Sequence, residues 1–330
     1  MARAQHGSLP PQASRDRRAA VRESVRAILR CPVCRGALEG DERLGCDGCG
    51  RRYPVEDGIP RLLSPDVPGS EEKLRETAGW VALAQAEGWY EPDDEVDAHL
   101  PFLCRDLGWD DPNWLANERS FALLLERVRP GMDVLEVGAA KCWGAAQLVP
   151  LGCAYVGSDI LADPNVGLGR GAFYESRVGP FARVQADAEH LPFADASFDL
   201  TYCVATLHHA LDLPLMVAEL ARVTRPGGVV AALNEGTRPI WRGQGNPVQA
   251  DEKSYGINEH VHTLVGYERA FRRAGLRVLV REHAHGVEEL ARRRVSRQLL
   301  PLPGGKDLAL AWASGVRGYA GVTLIAAKPR

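Results

Sequence analysis

The chain has 330 residues, of which 45% are apolar and 25% charged, with a formal net charge of -3 and a pI near 6.3. That balance is ordinary for a globular protein and argues against disorder. No stretch approaches the ~18–20 uninterrupted apolar residues that a membrane-spanning helix needs, and the mild negative charge gives no global reason to expect a polyanion partner.

Residues 1–30 hold seven arginines against Asp16 and Glu23. They read as a flexible basic start with a short helix carrying Val21, Val25, Ile28 and Leu29 on one face; an organelle-targeting peptide is the less favoured reading. The first chemical signal follows at once. Cys31 and Cys34, then Cys46 and Cys49, form two C-x2-C pairs separated by eleven residues. Each pair can turn two thiolates toward one ion, and four thiolates fill a tetrahedral zinc shell with no position left for water. The expectation is a structural Zn2+ site within residues 31–65. Iron in the same site and two disulfides are the alternatives, the disulfides disfavoured in a reducing compartment. Cys104, Cys142, Cys153 and Cys203 are scattered and read as reduced thiols that pack as small hydrophobes.

The runs "CPVC", "CDGC" and "YPVEDGIPRLL" (Tyr53 to Leu63) resemble the small zinc-ribbon proteins that partner and activate methyltransferases. The resemblance covers residues 31–63 and implies a covalently attached ribbon that covers apolar surface on its neighbour. A zinc ribbon also heads some large-subunit ribosomal RNA guanine methyltransferases, so a ribbon that guides RNA is the alternative.

Residues 66–120 read as a helical cap or linker rich in aromatics: Trp80, Trp89, Tyr90, Phe102, Trp109 and Trp114. Such density reads first as core and second as the cover of a substrate pocket. Either way the segment is expected across the open end of the next domain, where a lid would sit. Within it, Glu91–His99 has Pro92 and five acids, which predicts a turn or exposed link.

From about residue 121 short apolar strands alternate with helical patterns. "MDVLEVG" suits a central parallel strand, a helix is expected from Trp143 to about Leu148, and "AYVGSDI" is a second strand ending in Asp159. Three further strands follow in "RVQADAEHLPF", "SFDLTYCVATLHH" and "GGVVAALNE". This alternation predicts an α/β doubly wound, mostly parallel sheet with its ligand at the carboxyl ends of the strands. Gly138 and Asp159 stand 21 apart, near the ~20 expected between a glycine turn and a ribose-binding acid. A dinucleotide loop would carry G-x-G-x-x-G, whereas this one reads G-A-A-K-C-W-G. Alanine does not freely take positive φ, so close approach by a diphosphate is disfavoured and NAD falls away.

Four motifs in order, "LEVGAAKCWG", "GSDI", "ADAEHLPFADASFDLTYCVATLHHALD" and "RVTRPGGVV", resemble the class I S-adenosylmethionine-dependent methyltransferases over residues 119–235, and more loosely to Arg330. The resemblance implies a seven-stranded sheet whose last strand, in "YAGVTLIAAKPR", pairs antiparallel. It implies S-adenosylmethionine as cofactor, with Glu136, Gly138 and Ala139 in the first motif, Asp159 on the ribose hydroxyls, Ile160 against adenine, Asp187 on the adenine amino group and Ala188 beside it. The domain would span residues 121–330, with a substrate-side insertion around 236–265.

Methyl transfer from a sulfonium is an in-line displacement, accelerated by holding the reacting atoms about 3 Å apart in a dry site. A base is needed only where the acceptor must lose a proton. His208 and His209, after the fourth strand, are candidates; capping a helix or binding a carbonyl is their plainer reading. His260 and His262 lie two apart, which on a strand places them on one face with Glu259 beside them, to line an acceptor pocket or, less favoured, to bind a second metal. "ARRRVSRQ" (Ala291 to Gln298) is the best candidate for an RNA contact, although charge runs are more often solvated helix faces.

The sequence therefore predicts a cytoplasmic S-adenosylmethionine-dependent methyltransferase with a structural zinc ribbon, acting on a small molecule in specialised metabolism and not on a membrane. A ribosomal RNA base methyltransferase and a non-catalytic scaffold are the alternatives.

Overall fold

The computed structural model describes residues 23–243, 250–317 and 320–330. Most of the basic start, including Val21, lies outside the described residues. The described part of the first helix (α1, residues 23–28) places Val25 and the adjoining Leu29 in the core. Four short antiparallel strands follow: β1 (Leu38–Glu39), β2 (Arg43–Cys46), β3 (Arg52–Glu56) and β4 (Ile59–Pro60), in spatial order β1-β2-β3-β4.

A small sheet this short has too little core of its own, and its apolar side chains are buried against the larger domain. Leu29, Leu44 and Leu62 share one apolar cluster with Val184, Phe193 and Leu220. Polar contacts fix the dock: Leu62 N donates to Gln185 O at 2.8 Å, Arg30 N to Pro192 O at 2.8 Å, and Arg35 reaches Leu191 O and Glu219 at 2.7 and 2.8 Å. Gln185 ends the outermost strand of the large sheet, so the ribbon covers an edge that would otherwise expose unpaired backbone.

The cap comprises α2 (Ser70–Glu87), α3 (Asp94–His99), α4 (Leu103–Leu107) and α5 (Pro112–Leu125). The acidic link expected at Glu91–His99 is instead α3 from Asp94 onward. Asp93 caps it by accepting from Glu95 N and Val96 N, which turns acid-rich sequence into a helix start. Asp97, 1% exposed, faces inward. It meets Lys141 Nζ at 3.0 Å and Arg170 Nε at 2.8 Å, and Arg170 also binds Asp94. Charge that looked solvated is the cap's latch.

The large sheet contains β5 (Asp133–Val137), β6 (Ala154–Asp159), β7 (Ala182–Gln185), β8 (Phe198–Val204), β9 (Thr224–Thr237), β10 (Arg277–His283) and β11 (Ala320–Ala327). Their order is β10-β11-β9-β8-β5-β6-β7. β11 runs antiparallel to both β9 and β10, and the strands from β9 to β7 are parallel. Helices pack on it; in α6 (Leu213–Val223), for example, Asp212 caps Leu215 N and an apolar face enters the core. The order reverses at β5, between β6 and β8, and ligands of such sheets bind at the carboxyl ends beside that point.

Candidate active site

A cavity of about 580 Å³ opens at those carboxyl ends. Its floor is the turn after β5 (Gly138, Ala140, Lys141), the end of β6 (Asp159, Ile160), Ala186 and Ala188 after β7, and Ala205 and Thr206 after β8. Its roof is the cap. Trp80, Trp89, Trp109 and Trp114 line it together with Trp143, so five of the seven tryptophans face the cavity rather than a separate core.

The β5 turn takes the shape that the missing glycines were expected to deny it. φ is +71° at Gly138, +42° at Ala140 and +63° at Cys142. A left-handed alanine costs about 1–2 kcal/mol, and Asp159 offsets the strain: its Oδ2 accepts from Ala140 N at 2.7 Å while Oδ1 accepts from Leu161 N at 2.7 Å. Each oxygen keeps a lone pair for a ligand. Burial raises the Asp159 pKa against the pull of these backbone donors. At Gly138 a Cβ would sit 2.4 Å from Thr206. At Gly144 it would sit 2.2 Å from Tyr202 Oη and 2.5 Å from Glu136 Oε2, so Gly144 performs the close-packing task of a missing loop glycine.

Not every expected cofactor residue reaches the cavity. Gly138, Asp159, Ile160 and Ala188 line it. Ala139 is fully buried beneath the turn. Glu136 lies inside the sheet core, hydrogen-bonded by Tyr155, and burial lifts its pKa to about 8 although the Tyr155 and Tyr202 hydroxyls pull the other way. Asp187 is 2% exposed and caps the following turn, accepting from Glu189 N at 3.0 Å and meeting His190 Nδ1 at 3.1 Å. These three lie behind the wall.

The four histidines also separate. His209 lines the cavity, its ring edge-on to Trp80 at 5.6 Å. His208 is buried behind it, with Nδ1 3.0 Å from Glu235 Oε2. That carboxylate also accepts from Thr206 N and Leu207 N, each at 2.9 Å, so the end of β9 shapes the turn after β8. His260 and His262 were expected on one strand face; residues 257–261 form no strand, and His262 joins only an isolated bridge to Thr237. His262 packs on Tyr267, and the His260 backbone donates to His208 O at 2.7 Å. The acid gathered with His208 and His209 is Glu259, and Glu76 stands 3.4 Å from His209 Nδ1. Burial pushes Glu76 and Glu259 up to about 7, opposed by Lys73 and by His208 respectively. For His208 burial works downward, but the bond to Glu235 prevails and the net shift is upward. His209 is driven well down by burial and by His208. Sequence reasoning missed Lys73, Glu76, Asp97 and Glu235; only Glu235, closing the apolar run of β9, carried a local signal.

In the ribbon the four thiols converge. Cys31 and Cys49 Sγ are 3.7 Å apart, Cys34 and Cys46 Sγ 3.4 Å, and all four lie within 4.8 Å of one another, without a disulfide. Sulfurs on one zinc ion at ~2.3 Å would be about 3.8 Å apart, so the set fits a closed tetrahedral site.

Residues 135–232 match the family described as methyltransferase domain, and residues 25–58 match Trm112p-like protein. The chain carries a methyltransferase domain behind a Trm112p-like zinc ribbon. The cofactors that go with these two domains are S-adenosylmethionine and a structural zinc ion. Among curated relatives, a sterol 24-C-methyltransferase of Gibberella zeae is 33% identical over 105 residues, 31% of this chain and 27% of that one. A demethylmenaquinone methyltransferase of Parafrankia is 34% identical over 147 residues, covering 40% and 56%. An O-methyltransferase of Aspergillus nomiae is 32% identical over 132 residues, covering 37% and 58%. The chain thus spans roughly a quarter to three-fifths of the length of these relatives. The geranyl diphosphate C-methyltransferase of Streptomyces coelicolor has the same fold, with a TM-score of 0.51 at 15% identity over 80% of this chain and 99% of that one. Among the described residues no helix is long and apolar enough to cross a membrane.

Proposed function

We propose that the protein transfers a methyl group from S-adenosylmethionine to a small organic acceptor of specialised metabolism in the cytoplasm. The observation that carries this reading is the tryptophan-walled cavity over the β5 turn. Asp159 would take the ribose hydroxyls, with Ile160 and Ala188 against the adenine. The methyl group would point toward the cap, where aromatic walls exclude water and hold the acceptor in line. His209, which lines the cavity, would touch an acceptor, and the buried His208 would act behind it. Unpaired cysteines outside the ribbon suit a reducing compartment.

An RNA acceptor finds less support. The ribbon is spent on the β7 edge, and in the arginine run of residues 291–298 both Arg292 and Arg293 face Glu289 at 3.5 Å.

Isothermal titration of the zinc-loaded protein with S-adenosylhomocysteine tests the reading. Micromolar binding is expected, weakened tenfold or more by Asp159→Ala. No binding up to about 1 mM, near -4 kcal/mol, would favour a scaffold.

A further inference from the structure

Four carboxyl groups are buried beneath the cap. Glu76, Glu189, Glu235 and Glu259 are each at most 4% exposed. The ammonium that reaches them, Lys73, lies 3.4 Å from Glu189 and donates to His209 O at 3.1 Å. Asn258 Nδ2 serves Glu76 Oε2 at 2.9 Å, and the turn after β8 serves Glu235. Glu259 is left with nothing: neither oxygen accepts a hydrogen bond.

What faces Glu259 is two imidazole nitrogens. His209 Nδ1 is 3.6 Å from Oε1 and His208 Nε2 is 4.0 Å from Oε2. Both separations are too long for N–H···O bonds. They match donor atoms that share an ion, since two atoms each ~2.1 Å from a metal lie about 3–4 Å apart. His208 Nδ1 is engaged with Glu235, which turns Nε2 toward Glu259, the outer-carboxylate arrangement that orients ligating histidines. A buried carboxylate facing this nitrogen calls for a cation, either a proton on Nε2 or a metal ion that displaces it. His209 Nδ1 donates to Asn258 O at 2.6 Å and lies 3.4 Å from Glu76 Oε1; an ion bound here would take the place of that proton.

We propose that His208, His209 and Glu259, with Glu76 as a fourth ligand, bind a divalent transition-metal ion separate from the ribbon zinc. Mixed imidazole and carboxylate donors select such an ion over Mg2+ or Ca2+. Because Glu76 and His209 also line the cavity, the ion stands at its wall, where it would grip an acceptor oxygen. That use rests on the methyl-transfer reading; the binding does not.

The test is a Co2+ titration of the full chain with its ribbon already zinc-loaded, followed by visible absorption, metal content and tryptophan fluorescence. One further equivalent is expected, with the weak bands of nitrogen and oxygen coordination, no thiolate charge-transfer band, and quenching of Trp80. Glu259→Gln and His208→Asn should each abolish it, and Glu235→Gln should weaken it about 10–100-fold. If either ligand variant does not melt cooperatively, Glu76→Gln takes its place. A folded wild type that takes up no further equivalent at millimolar Co2+ overturns the proposal, as does unchanged affinity in both ligand variants. S-adenosylhomocysteine binding lost while Co2+ uptake persists would overturn the methyl-transfer reading alone.

Discussion

Two clusters of four side chains dominate this molecule, and they are built in opposite ways. The ribbon takes Cys31, Cys34, Cys46 and Cys49 from one short run, so local turns do nearly all the positioning. The turn beneath the cap takes Glu76 from α2, His208 and His209 from the turn after β8, and Glu259 from the segment before α7 (Leu264–Arg273), with Glu235 of β9 holding the assembly. The ribbon is specified by spacing. The second cluster exists only once the sheet and cap have folded around it.

The largest effect should come from the ribbon. Cys46→Ser is expected to release about one equivalent of zinc and lower stability by several kcal/mol, because zinc binding is folding free energy for so small a module and the module covers the β7 edge. Calorimetry with a zinc-release assay checks this; unchanged melting would make the ribbon an independent appendage. Next is the long-range turn. Glu235→Ala removes the acceptor for two backbone N–H groups and one imidazole, and about 3–5 kcal/mol should be lost in denaturant unfolding.

A third variant probes the core behind the cavity. Glu136 has its folded pKa raised to about 8, so its protonated form is favoured on folding. Its stabilising contribution is full below the unfolded carboxylate pKa, near ~4.3, and is lost as pH rises through 8. Wild type should therefore lose a few kcal/mol of stability between about pH 5 and pH 8, and Glu136→Gln should flatten that slope. Parallel pH profiles of the two proteins would refute the assignment. The smallest effect has the opposite sign: Ala140→Gly should stabilise by up to about 1 kcal/mol by relieving the left-handed alanine, with S-adenosylhomocysteine affinity maintained. Lost affinity would show that Ala140 Cβ contributes to the site.

Strand–helix alternation, the Gly138 to Asp159 interval and the two cysteine pairs were legible because each is a short-range pattern with a backbone cause. The acidic run before His99 misled because composition does not report burial: Asp97 is an interior acid only because Lys141 and Arg170 arrive from other elements. The histidine pair at His260 and His262 misled for a related reason. Period-two spacing shares a face only on a strand, and here the chain is held by a bond from His260 N to His208 O rather than by a ladder.

The sequence by itself determined the four-cysteine cluster, the alternating sheet and the acid at the end of β6, since cysteine spacing, strand periodicity and turn chemistry act over a few residues. Tertiary structure decided which residues face the cavity, that an alanine turn adopts positive φ with Asp159 bracing it, and which carboxylates meet His208 and His209. Those outcomes depend on burial and on groups brought together from distant segments, quantities that no local pattern in the chain encodes.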